Sequence, residues 1–194
     1  MSRFTILVGL FCVIALGVSS LILRAEEPKN DAKTVELFNG KDLTGWCYKT
    51  GDTVKKFDGQ TDTDDKQFSA KDGVLVVNDR EGKGTLWTTA EFNNDFELRF
   101  EFRASVNADS GVFIRKPQLQ CRDYLLAGPY KDLKDYRPQE WNELVVMVKD
   151  KVAHCTCNGE VLEDALELPA TGPIGLEGDR GQMEYRRIRL QELP

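Results

Sequence analysis

The stretch Asp95-Phe96-Glu97-Leu98-Arg99-Phe100-Glu101-Phe102-Arg103-Ala104 decides how this chain folds. Apolar Phe96, Leu98, Phe100 and Phe102 alternate with charged Glu97, Arg99, Glu101 and Arg103. Successive side chains of a strand point to opposite faces, so a period of two describes a strand with one buried and one charged side, as in an antiparallel sheet covered on one face. Outward from it, the chain continues as short apolar runs at 74–77, 85–88, 111–115, 118–122, 143–149, 152–157, 173–176 and 183–190, separated by Gly, Asp and Asn. Helical periodicity is almost absent. Nine or more strands in about 160 residues predict an all-β sandwich of two antiparallel sheets.

Two hairpins can be placed from their turns. Lys149-Asp150-Lys151 joins the run ending at Val148 to the run starting at Val152, and Asn158-Gly159, the strongest short hairpin signal, leads into Glu160-Val161-Leu162. A third turn at Lys116-Pro117 pairs Arg115 with Gln118 and Phe113 with Gln120. It lines up a polar row of Arg115, Gln118, Gln120 and Arg122, and buries Val112, Ile114, Leu119 and Cys121 on the opposite face. Residues 124–139, with one Gly, two Pro and three Tyr, read as a long surface loop of the kind that borders binding sites.

The chain opens with cationic Met1-Ser2-Arg3, an uncharged and mostly apolar stretch at 4–23, and an abrupt return of charge at Arg24-Ala25-Glu26-Glu27. Residues 1–25 have the layout of a signal peptide, and twenty apolar residues also reach across a bilayer core of about 30 Å, so a retained signal anchor is the alternative. Residues 26–34 read as a flexible linker and 35–194 as the folded domain. Export to the periplasm, the cell surface or the extracellular space is expected, with membrane contact only through the N-terminal segment if it stays uncleaved. The whole chain has a net charge of −6; without residues 1–25, 24 bases face 32 acids and the net charge is −8. Such a domain repels phosphate backbones, and no basic patch interleaved with aromatics offsets this, so nucleic acid is excluded as a partner. Cys47, Cys121, Cys155 and Cys157 either form one or two disulfides or serve as small buried apolar groups. Cys155 and Cys157 share a strand face and do not pair with each other; a bridge to Cys121 from a neighbouring strand is the disulfide option.

Nucleophile machinery is missing: there is no GxSxG, Walker loop, HExxH or GxGxxG. The one imidazole, His154, sits between Ala153 and Cys155 on a strand, which suits a structural role, and with no CxxC pair a zinc site is not expected. No cofactor is expected. No motif supports a divalent cation, because the loop holding Asp58, Asp62, Asp64 and Asp65 lacks the central Gly and terminal Glu of a calcium loop. Carboxylates and arginines remain as chemical candidates. Glu101 and Arg103 face outward on the strongest strand, and they join the Gln118 and Gln120 row if those strands are neighbours. The same residues equally fit a solvated Glu/Arg ladder. Asp123 and Tyr130 flank the long loop, Glu140-Trp141-Asn142 closes it, and Trp141 fits either a sugar ring or the core.

Several motifs occur in a recognisable order: Leu37-Phe38-Asn39-Gly40-Lys41-Asp42-Leu43-Thr44-Gly45-Trp46, Lys71-Asp72-Gly73-Val74-Leu75, the alternating stretch, Asp109-Ser110-Gly111-Val112-Phe113-Ile114-Arg115, Glu140-Trp141-Asn142, Asn158-Gly159 and Gly172-Pro173-Ile174-Gly175-Leu176. Together they resemble the 3-keto-disaccharide hydrolase domain family. The resemblance implies a concanavalin-A-like jelly-roll β-sandwich with its site on a concave sheet. It also implies an exported, carbohydrate-active protein that cleaves the glycosidic bond of 3-keto-disaccharides or 3-keto-glucosides. The rival is a non-catalytic carbohydrate-binding module or cell-envelope accessory protein on the same fold. Carried over by motif, Glu101, Arg103, Arg115 and Asp123 would be catalytic, with Glu101 as base or acid and the two arginines at the keto oxygen. Ser110, Gln118, Gln120, Tyr130 and Glu140 would bind the sugar, and no metal ligand is implied. The chain departs from the family where Asp109-Ser110-Gly111 replaces the usual Asn-Ser-Gly and Gln118-Leu119-Gln120 replaces the frequent Glu-Val-Gln.

Overall fold

The alternating stretch is a strand in the computed structural model, which describes residues 34–80, 84–123 and 128–194. The leader (1–25), most of the linker and residues 124–127 of the long loop lie outside the described residues. In chain order the strands are β1 (Thr34–Glu36), β2 (Trp46–Thr50), β3 (Thr53–Lys56), β4 (Phe68–Lys71), β5 (Val74–Val77), β6 (Gly84–Thr88), β7 (Phe96–Ala104), β8 (Asp109–Ile114), β9 (Gln118–Arg122), β10 (Asn142–Lys149), β11 (Val152–Cys157), β12 (Glu160–Glu167), β13 (Ile174–Gly178) and β14 (Met183–Glu192). They form an all-β sandwich. One eight-stranded sheet runs β12-β11-β10-β7-β14-β5-β4, with β1 also paired to β14, and one six-stranded sheet runs β3-β2-β6-β13-β8-β9. Both sheets are antiparallel.

β7 lies between β10 and β14, and its burial alternates along its whole length. Phe96, Leu98, Phe100 and Phe102 face inward with Leu144, Val146 and Val148 of β10 and Met183 and Tyr185 of β14. Across the core they meet Trp46, Leu86, Val112, Ile114, Leu119, Ile174 and Leu176 of the six-stranded sheet, and one continuous apolar cluster results. The two expected hairpins form, the first around a turn one residue shorter than Lys149-Asp150-Lys151. Lys149 pairs with Val152 around Asp150 and Lys151, and Cys157 pairs with Glu160 around Asn158 and Gly159. All four turn residues have positive φ, as type I′ turns require.

Three details correct or sharpen the sequence reading. The β8–β9 turn is wider than Lys116-Pro117: Phe113 pairs with Gln118 and Gly111 with Gln120, two residues from the expected register. A slip of two preserves which side chains face the core, so Val112, Ile114, Leu119 and Cys121 remain buried. Arg115 does not pair with Gln118, because it leaves the strand with φ 61. Of the two readings of the cysteines, the structure shows the buried apolar one. Cys47, Cys121, Cys155 and Cys157 are all free and buried, and burial pushes the thiols of Cys155 and Cys157 up to about 12. Third, the loop after β9 is anchored rather than superficial. A short 3-10 turn at Pro129–Asp132 and the segment after it insert Tyr130 and Tyr136, which pack on Phe102 with ring centroids 6.0 and 6.4 Å away.

Phe102 therefore joins the centre of the long sheet to the anchored loop. Replacing it by Ala removes a fully buried ring, a change that costs about 3–5 kcal/mol in well-packed cores. A Phe102→Ala variant is expected to lose that much in urea unfolding, with the loop around residue 130 becoming protease-sensitive.

Candidate functional site

The outer face of the six-stranded sheet is shaped by two glycines. In β13, Ile174 and Leu176 point inward, which leaves Gly175 and Glu177 on the outer face. A Cβ at Gly175 would fall 2.6 Å from the Trp87 ring, so the indole lies across that position. There it meets Phe113, ring centroids 5.2 Å apart, and the two rings form an aromatic platform. Gly111 plays the same part on β8. A Cβ there would lie 2.3 Å from Gln118 Nε2, so the Gln118 side chain crosses the vacant position toward β13. It donates from Nε2 to Glu177 Oε2.

That contact ends a directed chain of donors. Arg122 Nη2 donates to Gln120 Oε1, Gln120 Nε2 donates to Gln118 Oε1 at 3.0 Å, and Gln118 donates to Glu177. Asp109 holds the start of the chain, 3.0 Å from Arg122 Nη2 and 3.5 Å from Arg180 Nη2. Glu177, Gln118, Gln120, Arg122, Trp87 and Phe113 are all half-buried. Such networks strengthen their members by mutual polarisation. An apolar platform beside a few converging donors and acceptors is the general form of a small-molecule site. The row ends on a carboxylate, the side-chain type that general-base chemistry uses.

The residues proposed from the sequence divide into three groups. Gln118 and Gln120 lie in this row. Glu101 and Arg103 do not, because β7 belongs to the other sheet and both point to the opposite outer face of the sandwich. The strands are not neighbours, and the expected single polar surface becomes two. There Glu101 accepts from Arg186 Nε at 2.5 Å and Arg187 Nη1 at 2.6 Å. Burial works to raise the Glu101 pKa, but the two guanidinium groups outweigh it and hold the carboxyl below its ordinary value, which makes it a poor proton acceptor. Arg103 pairs with Glu184 and lies 4.8 Å from the centroid of Trp141. Glu140 is exposed just before that tryptophan.

The third group is structural. Arg115 is 5% exposed and donates to the carbonyls of Asn94, at 2.7 Å, and Pro169, at 3.1 Å, so it clamps two loops rather than facing a ligand. Asp123 is buried and accepts from the Tyr136 hydroxyl at 2.9 Å and from Gln139. Tyr130 is fully buried, and its hydroxyl donates to the Gln120 carbonyl at 2.6 Å. Ser110 is buried and donates to the Glu177 carbonyl at 2.7 Å. Tyr130 and Ser110 thus hold the backbone of the row from below, while Arg115 and Asp123 tie the loops around it. His154 binds Asp164 of β12, 3.0 Å away. Among the described residues no three His, Cys, Asp or Glu side chains stand together as a metal-binding group. Sequence reasoning missed Glu177 and Trp87. The available signal was Gly175-Leu176-Glu177-Gly178, a charged residue between glycines in an otherwise apolar strand.

The sequence profile of the 3-keto-alpha-glucoside-1,2-lyase-like domain matches residues 33–191. A candidate glycosyl hydrolase from Parabacteroides distasonis is 18% identical with a TM-score of 0.65, over 83% of this chain and 94% of its own. A second from the same organism is 21% identical with a TM-score of 0.54, over 68% of this chain and 93% of its own. Likenesses at this identity show a shared fold. No curated protein sequence matches the chain.

The Glu101 geometry has a pH consequence. A carboxylate held below its ordinary value of 4.5 contributes stability that is present above that value and is lost as pH falls through the lower folded-state value. Glu101→Gln removes this contribution. The stability advantage of the parent over the variant in urea titrations is therefore expected to be constant near neutrality and to shrink as pH drops below 4.5.

Proposed function

Since the family profile spans nearly the whole described domain, the chain belongs to the 3-keto-alpha-glucoside-1,2-lyase-like family, and on that premise we propose that it cleaves 3-keto-glucosides on the outer face of its six-stranded sheet. Family membership supports a carbohydrate-directed function. The observation that carries the finer reading is the Arg122, Gln120, Gln118, Glu177 chain ending beside the Trp87 and Phe113 platform.

A keto group at C3 acidifies the proton on C2, so the reaction needs a base rather than a strong nucleophile. In the proposed route Glu177 takes the C2 proton and the C2–H electron pair passes into an enolate on the C3 oxygen. Collapse of the enolate forms the C1=C2 double bond and expels the aglycone oxygen from C1, which leaves as an alcohol once protonated. Gln118, already donating beside Glu177, supplies a hydrogen bond to the developing enolate oxygen. The apolar rings would cover the sugar and lower the local dielectric. Where the family often has Glu, this chain has Gln118, and the carboxylate that the chemistry needs is supplied by the strand on the other side of Gly111. The opening of the chain supports export, so the substrate would be met outside the cytoplasm.

A binding-only reading is favoured by that same Gln118. The two readings separate in one experiment: purified protein mixed with a 3-keto-glucoside bearing a chromogenic aglycone. Release of the aglycone, with kcat/KM reduced about 10²–10⁴-fold in Glu177→Gln and little changed in Glu101→Gln, is the expected result. Saturable binding with no release would assign the domain as a binding module, and activity unaffected by Glu177→Gln would remove Glu177 as the base.

A further inference from the structure

The outer face of the eight-stranded sheet carries a second constellation that the proposed chemistry does not use. It begins with a β-bulge. Glu101 pairs with Arg186 and Arg99 with Arg189, so β14 fits one extra residue into the interval. Arg187 takes up that residue with φ 53, an unusual conformation for a side chain of its size. Tyr185 before the bulge and Ile188 after it both point into the core. Arg186 and Arg187 consequently both point outward, onto the two oxygens of Glu101. Bulges that re-aim side chains recur beside functional sites.

The bulge also fixes a half-buried aromatic. Arg186 lies 4.0 Å and Arg103 4.8 Å from the centroid of the Trp141 ring, and the indole keeps part of its surface in solvent. Cation–π contacts of this kind hold the ring without burying it. On one side of this stack is a cavity of about 400 Å³ lined by Glu101, Arg137, Trp141, Glu143, Asn158 and Arg186. Its volume lies within the range of about 300–1,000 Å³ usual for small-molecule sites. A second cavity of about 180 Å³ is lined by Arg103, Ala104, Ser105, Gln139, Gln182 and Glu184. Arg186 lines the larger cavity and Arg103 the smaller, and both contact Trp141, so the tryptophan's cation–π stack links the two.

The charges along this face are matched. Four carboxylates meet four guanidinium groups: Glu101 is paired with Arg186 and Arg187, Glu184 with Arg103, and Glu97 and Glu143 with Arg99. Paired charges offer donors and acceptors to hydroxyl groups but little net field for an anion. We infer that this face is a second carbohydrate site, separate from the six-stranded sheet, which takes a neutral oligosaccharide segment across Trp141. The protein would then hold a glycan chain on one face while a sugar unit is engaged on the other.

The test uses calorimetry on the full-length protein with cellotetraose, maltotetraose and laminaritetraose, and a sulfated heparin tetrasaccharide as the charged counterpart. At least one neutral tetrasaccharide is expected to bind, with affinity falling tenfold or more in Trp141→Ala and in Arg137→Ala. Arg137 is exposed, so its replacement leaves the fold intact and stands in for Trp141→Ala if that variant is unstable. Glu177→Gln and Trp87→Ala are expected to leave this affinity unchanged, and turnover of a 3-keto-glucoside is expected to survive Trp141→Ala. Absence of binding to all three neutral probes, binding unaffected by Arg137→Ala, or tighter and strongly salt-dependent binding of the sulfated probe would each overturn the inference. None of those results bears on cleavage at Glu177.

Discussion

The two-residue period of β7 is the constraint on which the rest of the molecule depends. The strand sits in the middle of the long sheet, with β10 on one edge and β14 on the other, so both neighbours take their register from it. A slip of one residue would turn Phe96, Leu98, Phe100 and Phe102 into solvent and bring four charges into the core. The alternation that prevents this also forces Glu97, Arg99, Glu101 and Arg103 onto the outer face. Burial of one side thus creates the polar surface on the other. Arg99 reaches Glu143 on β10 and Glu101 reaches Arg186 on β14, so the pairs tie three adjacent strands together on the outside. Each such half-exposed pair adds a fraction of a kcal/mol to about 1 kcal/mol, well below the contribution of the four apolar side chains beneath.

The six-stranded sheet reaches its polar face by the opposite means. It has no charged ladder on β13 and β8. Gly175 and Gly111 instead leave gaps in the pleat, and side chains from adjacent strands lie down across them. Trp87 fills one gap and Gln118 the other. A side chain held flat across a neighbouring strand has few rotamers left, so the platform and the donor chain are pre-organised before any ligand arrives.

What the sequence made legible follows the range of the interactions involved. The alternation of β7, the hairpin connections near Asp150 and at Asn158-Gly159, and the inward set Val112, Ile114, Leu119 and Cys121 are local patterns, and each is found in the structure. Sheet membership is not local. Only the pairing of β7 with β10 and β14, tens of residues distant in sequence, separates Glu101 from Gln118. Arg115 follows directly on β8, and its left-handed φ is what removes it from the row. Tyr130 and Tyr136 carry hydroxyls that suit a surface site, but each finds a partner inside, on the Gln120 carbonyl and on Asp123, and so can be buried. The bulge did leave a trace in the sequence: in Tyr185-Arg186-Arg187-Ile188 the alternation breaks at two consecutive arginines, the signature of one residue too many for a regular strand.

The two outer faces lie on opposite sides of an apolar core, and the thickness of two packed sheets, about 10 Å between them, prevents any side chain from serving both. One polar contact nevertheless runs through the interior. Ser110 points inward from β8, donates to the Glu177 carbonyl, and lies 3.3 Å from the hydroxyl of Tyr185 on β14. A buried hydroxyl left without a partner costs about 1–3 kcal/mol, so these groups fix one another's positions. Glu177 sits at one end of the link, its side chain on the six-stranded face. At the other end the residue after Tyr185 is Arg186, whose guanidinium supports Trp141 on the eight-stranded face. Ser110, which the motif pattern marks as a site residue, therefore acts from below: it anchors the backbone of the carboxylate and ties the strand that carries it to the strand that shapes the opposite surface.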